Sequence, residues 1–212
     1  MTQDPALQTW ITSCGTRLTL RPVQRFDGPA LAHMIERLSA RSRRWRFHAG
    51  VKATSPAWIE RLTQAASARQ QALVVVTETG MVVAEGRWAR ASDGGDAAEF
   101  AIVVADAWQR LGIGRRLMRA LAATAQAAGV RWLHGEVLHD NGPMCRLMRG
   151  LRFERRVPAL PEDTGCLLRF ELAVAQLLPA SPAAGLRAWL ARLTRALGGL
   201  NPWPLGADWR VE

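Results

Sequence analysis

The chain has 212 residues, 49% of them hydrophobic, which suits one domain with a modest extension and a real core. No apolar run reaches the roughly 18–20 residues of a membrane span, and the N-terminus lacks a basic start followed by an apolar stretch, so a cytoplasmic location is expected. Formal net charge is +10, and of 28 basic residues only Lys52 is a lysine. That balance favours anionic partners, but no dense basic tract with interleaved aromatics occurs, and nucleic acid is not an expected partner. Cys14, Cys145 and Cys166 fit no disulfide or zinc spacing, and His33, His48, His134 and His139 form no ligand pattern, so no metal is expected.

In chain order, residues 1–16 read as an N-terminal extension, 17–175 as the folded domain, and 176–212 as a Pro/Ala linker followed by a basic amphipathic helix and tail. A short strand is predicted at 17–22. Helical spacing over 27–38 puts Leu31, Met34, Ile35 and Leu38 on one face, with Asp27 as N-cap. The Arg-rich stretch 41–46 reads as a loop or helix end. Ser55 and Pro56 open a second helix as N-cap and first-turn proline. The runs 72–77 and 81–89 predict a hairpin. A nearly continuous apolar run at 99–105 predicts a buried strand. A long helix follows at 112–128, with Ile113, Leu117, Met118, Leu121 and Ala125 inward. A strand at 132–138, a short helix at 142–151 and strands at 155–157 and 166–174 complete the domain. The order is β-α-α-β-β-β-α-β-α-β-β, an α/β (mixed α+β) class with helices on both faces of a mixed sheet.

The chemistry concentrates in Gln109-Arg110-Leu111-Gly112-Ile113-Gly114-Arg115-Arg116, between the buried strand and the long helix. The first N–H groups of a helix lack internal partners and carry the positive end of its dipole. Glycines let the backbone approach an anion closely. Together they make a phosphate cradle, and Arg110, Arg115 and Arg116 add charge. The turn is neither a dinucleotide fingerprint, which needs a third glycine, nor a P-loop, which needs a following Lys-Ser/Thr pair.

Gln109-x-x-Gly112-x-Gly114, following the strand at 101–104, resembles the acyl-CoA signature of the GNAT N-acetyltransferase superfamily. Val103-Val104-Ala105-Asp106 leads into the turn at the family's spacing. Asn141, Met144, Leu147, Leu151 and Phe153 resemble its closing pattern. The resemblance covers roughly 17–175, and its specific part is 99–153. Glu99-Phe100-Ala101 and Met144 are most similar to bacterial Pat-type protein lysine acetyltransferases. The resemblance implies a mostly antiparallel sheet of about six to seven strands with a splay between the two central strands. It also implies acetyl-CoA as co-substrate. The pantetheine arm would lie along Ile102, Val103 and Val104. The pyrophosphate would lie on Gln109, Arg110, Leu111, Gly112, Ile113, Gly114 and Arg115, with a hydrogen bond from Asn141. Two departures stand out: Arg152 replaces the usual glycine before Phe153, and Met148 occupies the place of a thiolate-protonating tyrosine. The chain has no tyrosine at all.

Acetyl transfer to an amine requires a base. Glu99 lies five residues before Val104, roughly 17 Å along an extended strand, which places it at the thioester end. Glu136, on the next strand, is the rival base. The acceptor is read as a protein lysine or a small amine. Its identity stays open, because 41–52 is basic whereas 92–98 and 158–165 carry acidic residues. The alternative reading is a non-catalytic acyl-CoA-binding or sensing module. The helix at 186–197 is weighed between an anionic membrane surface and packing on the domain or on the partner in a homodimer, and packing is preferred.

Overall fold

The computed structural model describes residues 7–48, 55–64, 66–91, 95–156 and 166–178. The C-terminal helix and the 158–165 turn lie outside the described residues, as do parts of the 41–52 and 92–98 segments.

Among the described residues eight strands form one sheet. They are β1 (Gln8–Ile11), β2 (Arg17–Pro22), β3 (Gln70–Thr77), β4 (Val82–Arg90), β5 (Ala97–Val104), β6 (Trp132–Leu138), β7 (Glu154–Arg156) and β8 (Leu167–Ala173), in the spatial order β1-β2-β3-β4-β5-β6-β8-β7. All neighbours are antiparallel except β5 and β6. The sheet thus has one strand more than the upper figure of seven expected from the sequence. The added strand is β1, from the stretch set apart as an extension. Its residues are mostly exposed, so it carries no alternation of apolar and polar positions to betray it.

Among the described residues five helices flank the sheet: α1 (Gly28–Glu36), α2 (Ala40–Phe47), α3 (Pro56–Leu62), α4 (Ile113–Ala127) and α5 (Gly142–Gly150). On one face, α4 and α5 bury Ile113, Leu117, Met118, Leu121 and Met148 against Leu73, Trp88, Phe100 and Leu133. Each such side chain contributes about 1.5–3 kcal/mol of hydrophobic stabilisation. On the other, α1 and α3 bury Leu31, Met34, Ile35 and Leu62 against Val74, Val82 and Val103. Helices therefore cover both faces, as the sequence indicates.

The structure departs from the sequence-based expectation at α2 and at Asp27. The Arg-rich stretch is helix α2, capped by Ser39, whose Oγ accepts from Ser42 N–H. Asp27 stands at the N-cap position of α1, but its carboxylate makes no cap bond. It accepts two 2.7 Å hydrogen bonds from Arg21 and one from Gln24 N–H. A buried guanidinium is a stronger partner for it than a helix end. Ser55 caps α3 as expected, accepting from Trp58 N–H.

The feature that positions the site is the parting of β5 and β6. They pair only at Ala97–Trp132, Ala98–Leu133 and Glu99–His134, although β5 continues to Val104 and β6 to Leu138. One step beyond the last pair, a Cβ on Gly135 would come within 2.8 Å of the Phe100 ring, so a residue without a side chain is required there. This is the expected splay between the central strands.

Candidate active site

The parted strands open a cleft of about 1050 Å³. Its floor is β5, and its walls include α2, the turn before α4 and the start of α5.

The turn is built on alternating left-handed residues. Arg110 has φ 65° and Gly112 has φ 77°. Such alternation gathers successive N–H groups toward one point, a concavity suited to an anion. Gly112 is the N-cap of α4, and nothing lies within 4 Å of where its Cβ would be. The open space and the helix N-terminus together fit a phosphate group. Gly114 is tighter, since its Cβ would meet Leu147 at 3.2 Å.

Most residues singled out by the sequence come together here. Ile102, Val103, Val104, Gln109, Arg110, Gly112, Ile113, Gly114, Arg115 and Asn141 all line the cleft, as do Glu99 and Glu136. Leu111 packs against the core instead, so only its main chain can serve the turn. Arg116 is also elsewhere, its guanidinium 4.9 Å from the Trp10 ring centroid. Arg115 Nη1 donates to Gly150 O at 3.1 Å, joining α4 to the end of α5. Gln109 Nε2 donates to Val104 O at 3.1 Å, which ties the turn back to the strand.

Ala105 N–H donates to Val83 O across to β4. Alternation along an antiparallel strand then turns the Ile102 and Val104 amides the other way, toward the gap where β6 has parted. They form an unpaired edge inside the cleft. Asn141 caps α5 through Oδ1, which accepts from Met144 N–H at 3.1 Å. Its Nδ2 remains a donor on a side chain that lines the cleft.

Glu99 and Glu136 are exposed on strand surfaces and make no side-chain hydrogen bond or ion pair among the described residues. His134, opposite Glu99, has its pKa lowered by burial and by Arg169, against opposing effects that include Glu99. At neutral pH it therefore leaves the Glu99 charge uncompensated. Met148 is fully buried and Cys145 nearly so, and neither reaches the cleft.

Nothing in the sequence signals how α2 is anchored. Asp106, just after β5, accepts from Ser39 N–H, Ser39 Oγ and Ser42 Oγ at 2.7–2.9 Å. Burial pushes its carboxyl up, but these hydrogen bonds prevail and hold it below the usual carboxylate range. Asp140, just after β6, accepts from Arg44 Nη1 at 2.6 Å and from Trp45 Nε1 at 3.1 Å. Helix α2 thus bridges the ends of the two parted strands. A third anchor is Glu85 on β4, 2% exposed, which pairs with Arg46 and Arg87.

Residues 35–153 match the Acetyltransferase (GNAT) family. An acetyltransferase of Pseudomonas aeruginosa is 32% identical over 149 residues, 68% of this chain and 80% of that protein. The acetyltransferase Pat of Mycolicibacterium smegmatis is 40% identical over 76 residues, 35% of this chain but only 23% of that protein. The crystal structure of the GNAT domain of S. lividans PAT superposes with a TM-score of 0.70 at 24% identity, covering 78% of this chain and 96% of that one. The parted central strands, the glycine turn at the head of α4 and the match over most of the domain agree. The chain belongs to the GNAT acetyltransferase family and is an acyl-CoA-dependent acetyltransferase.

Proposed function

We propose that the protein transfers an acetyl group from acetyl-CoA to a primary amine by direct attack, with Glu99 as general base. The observation that carries this reading is the parting of β5 and β6 immediately after Glu99. It leaves a free carboxylate at one end of an open strand edge and a phosphate cradle at the other. When bound, acetyl-CoA supplies an activated thioester. The chain would hold it through the Gly112–Gly114 turn, the unpaired amides of Ile102 and Val104, and Asn141 Nδ2. The strand edge would take the pantetheine arm as an added strand.

An amine with a pKa near ~10.4 reaches its neutral, nucleophilic form at pH 7 at a cost of roughly 4–5 kcal/mol. Glu99 accepts that proton, directly or through a water. As the new C–N bond forms and the C–S bond breaks, a main-chain N–H of β5 stabilises the charge developing on the carbonyl oxygen. The nitrogen sheds its second proton as the amide forms, and the leaving thiolate gains one through water, since Met148 and Cys145 are turned into the core and the chain has no tyrosine. Glu136 is the rival base. It also lines the cleft, but it lies beyond the last β5–β6 pair on the strand that departs.

The acceptor is a protein lysine or a small amine. The resemblance of Glu99-Phe100-Ala101 and Met144 to Pat-type enzymes supports the first, and the cleft between the parted strands supports the second. A thiol-release assay with acetyl-CoA and a panel of lysine peptides, diamines and amino acids tests the reading. Release with at least one amine class is the expected result. Saturable acetyl-CoA binding with no release for any amine would instead favour a non-catalytic acyl-CoA-binding or sensing module.

A further inference from the structure

The Arg46–Glu85–Arg87 cluster in the α2 wall has more positive than negative charge. Arg46 Nη2 donates to Glu85 Oε2 at 3.1 Å, and Arg87 Nε donates to Glu85 Oε1 at 2.7 Å. Both carboxylate oxygens are thereby engaged, so two guanidinium groups share one negative charge. The side chains are 10%, 3% and 24% exposed for Arg46, Glu85 and Arg87. Arg87 has a further acceptor in Leu62 O at 3.0 Å. Among the described residues Arg46 has none: its Nε is sealed from solvent without a partner, and the Phe47 ring lies 4.9 Å from its guanidinium. Among the described residues no second carboxylate bonds it. A charge removed from water without full pairing is unfavourable, and an incoming anion relieves it. Arg46 lines the cleft and Glu85 does not, so the relief comes from the cleft side.

We infer that Arg46 is a specificity-determining residue that receives an anionic group of the acceptor. The substrate class is then a small amine that also carries a carboxylate. The inference rests on the proposed amine acetylation. Its geometry favours a small molecule, because a guanidinium 10% exposed is met only by a group that enters the cleft. Glu85 pairs in register with Val103, four residues along β5 from Glu99. The anion-reading and amine-reading ends are thus separated along the strand by roughly 13 Å of backbone, and long side chains from both ends narrow that interval.

The test uses the full chain, acetyl-CoA and pairs of amines that differ only in the carboxylate, such as lysine against 1,5-diaminopentane and 6-aminohexanoate against hexylamine. The expected result is a kcat/KM at least tenfold higher for the carboxylated member, expressed in KM. Arg46→Gln should abolish the preference, and Arg46→Lys should restore part of it. The ratio of the two acceptors is internal to each variant, so a reduced folded fraction does not disturb it. Acetyl-CoA affinity, read by calorimetry, should be the same in Arg46→Gln. Equal kcat/KM within each pair, or a preference that survives Arg46→Gln, overturns the inference while leaving amine acetylation intact. Acetyl-CoA affinity falling with Arg46→Gln assigns the guanidinium to the co-substrate and also overturns it. Absence of thiol release with every amine overturns both readings together.

Discussion

Two walls of the cleft are made of different materials. At the turn before α4, main-chain groups face the cleft, set by the backbone angles of Arg110 and Gly112 and by a helix N-terminus. At the α2 wall, side chains face the cleft, and three carboxylates from distant parts of the chain hold the helix in place: Glu85, Asp106 and Asp140. A main-chain cradle fits the same chemical group wherever it is built. A wall of side chains changes with every substitution. The difference suits an enzyme that keeps one substrate fixed and selects the other.

The largest effect should come from removing the anchor of the wall. Glu85→Gln leaves Arg46 and Arg87 side by side without their shared charge and should lower stability by about 3–5 kcal/mol in urea unfolding. Acceptor KM should rise while acetyl-CoA affinity, measured on the folded protein, changes little. Equal losses at both would show that the two walls are not independent. Glu99→Gln should cut kcat at least about tenfold with acetyl-CoA affinity preserved. Unchanged turnover at saturating acceptor would remove Glu99 from the mechanism.

Gly112→Ala tests the other wall. Alanine at φ 77° is strained by about 1–2 kcal/mol, and the cradle should lose acetyl-CoA affinity about fivefold in calorimetry. Acceptor preference should not move. Asp106→Asn should lower stability by about 1 kcal/mol, a figure kept small because the residue is exposed to solvent. The pH dependence follows from the sign of its shift. The Asp106 pKa is depressed in the folded state, so its contribution is complete above the unfolded value near ~3.9 and is lost as pH falls through the folded one. Acid titration of the thermal midpoint should therefore show a shallower loss below about pH 4 in Asp106→Asn than in the wild type. The smallest effect concerns Arg152, which holds φ 66° just after α5, where the family usually has glycine. Arg152→Gly should raise stability by about 0.5–1 kcal/mol, relief of strain outweighing the extra freedom of the unfolded chain, with activity unaltered.

The same contrast explains what the sequence disclosed. The turn was legible because its chemistry depends on glycines at fixed spacing, and β5, β6 and α5 were legible because their apolar patterns are regular. Helix α2 was not. Ala40–Phe47 has no apolar stripe, and its stability comes from partners 39 to 96 residues away in the chain. The role of Asp106 was hidden for the same reason. The sequence places Arg116 beside Arg115 as added charge for the phosphates, but one residue on a helix turns a side chain by about a quarter turn, and it meets Trp10.

The short contact between β5 and β6 has a mechanical consequence. Among the described residues, three residue pairs, together with the Asp96 carbonyl that accepts from Arg131 and Trp132 N–H, stitch the β1–β5 half of the sheet to the β6-β8-β7 half. Beyond them runs a seam. An extended amide-bearing ligand seated on Ile102 and Val104 would close part of that seam, a splice supplied by the substrate. Loading the protein should then do more than add its binding free energy to stability. It should slow the hydrogen exchange of amides on both sides of the seam, and product release should reopen it once per turnover.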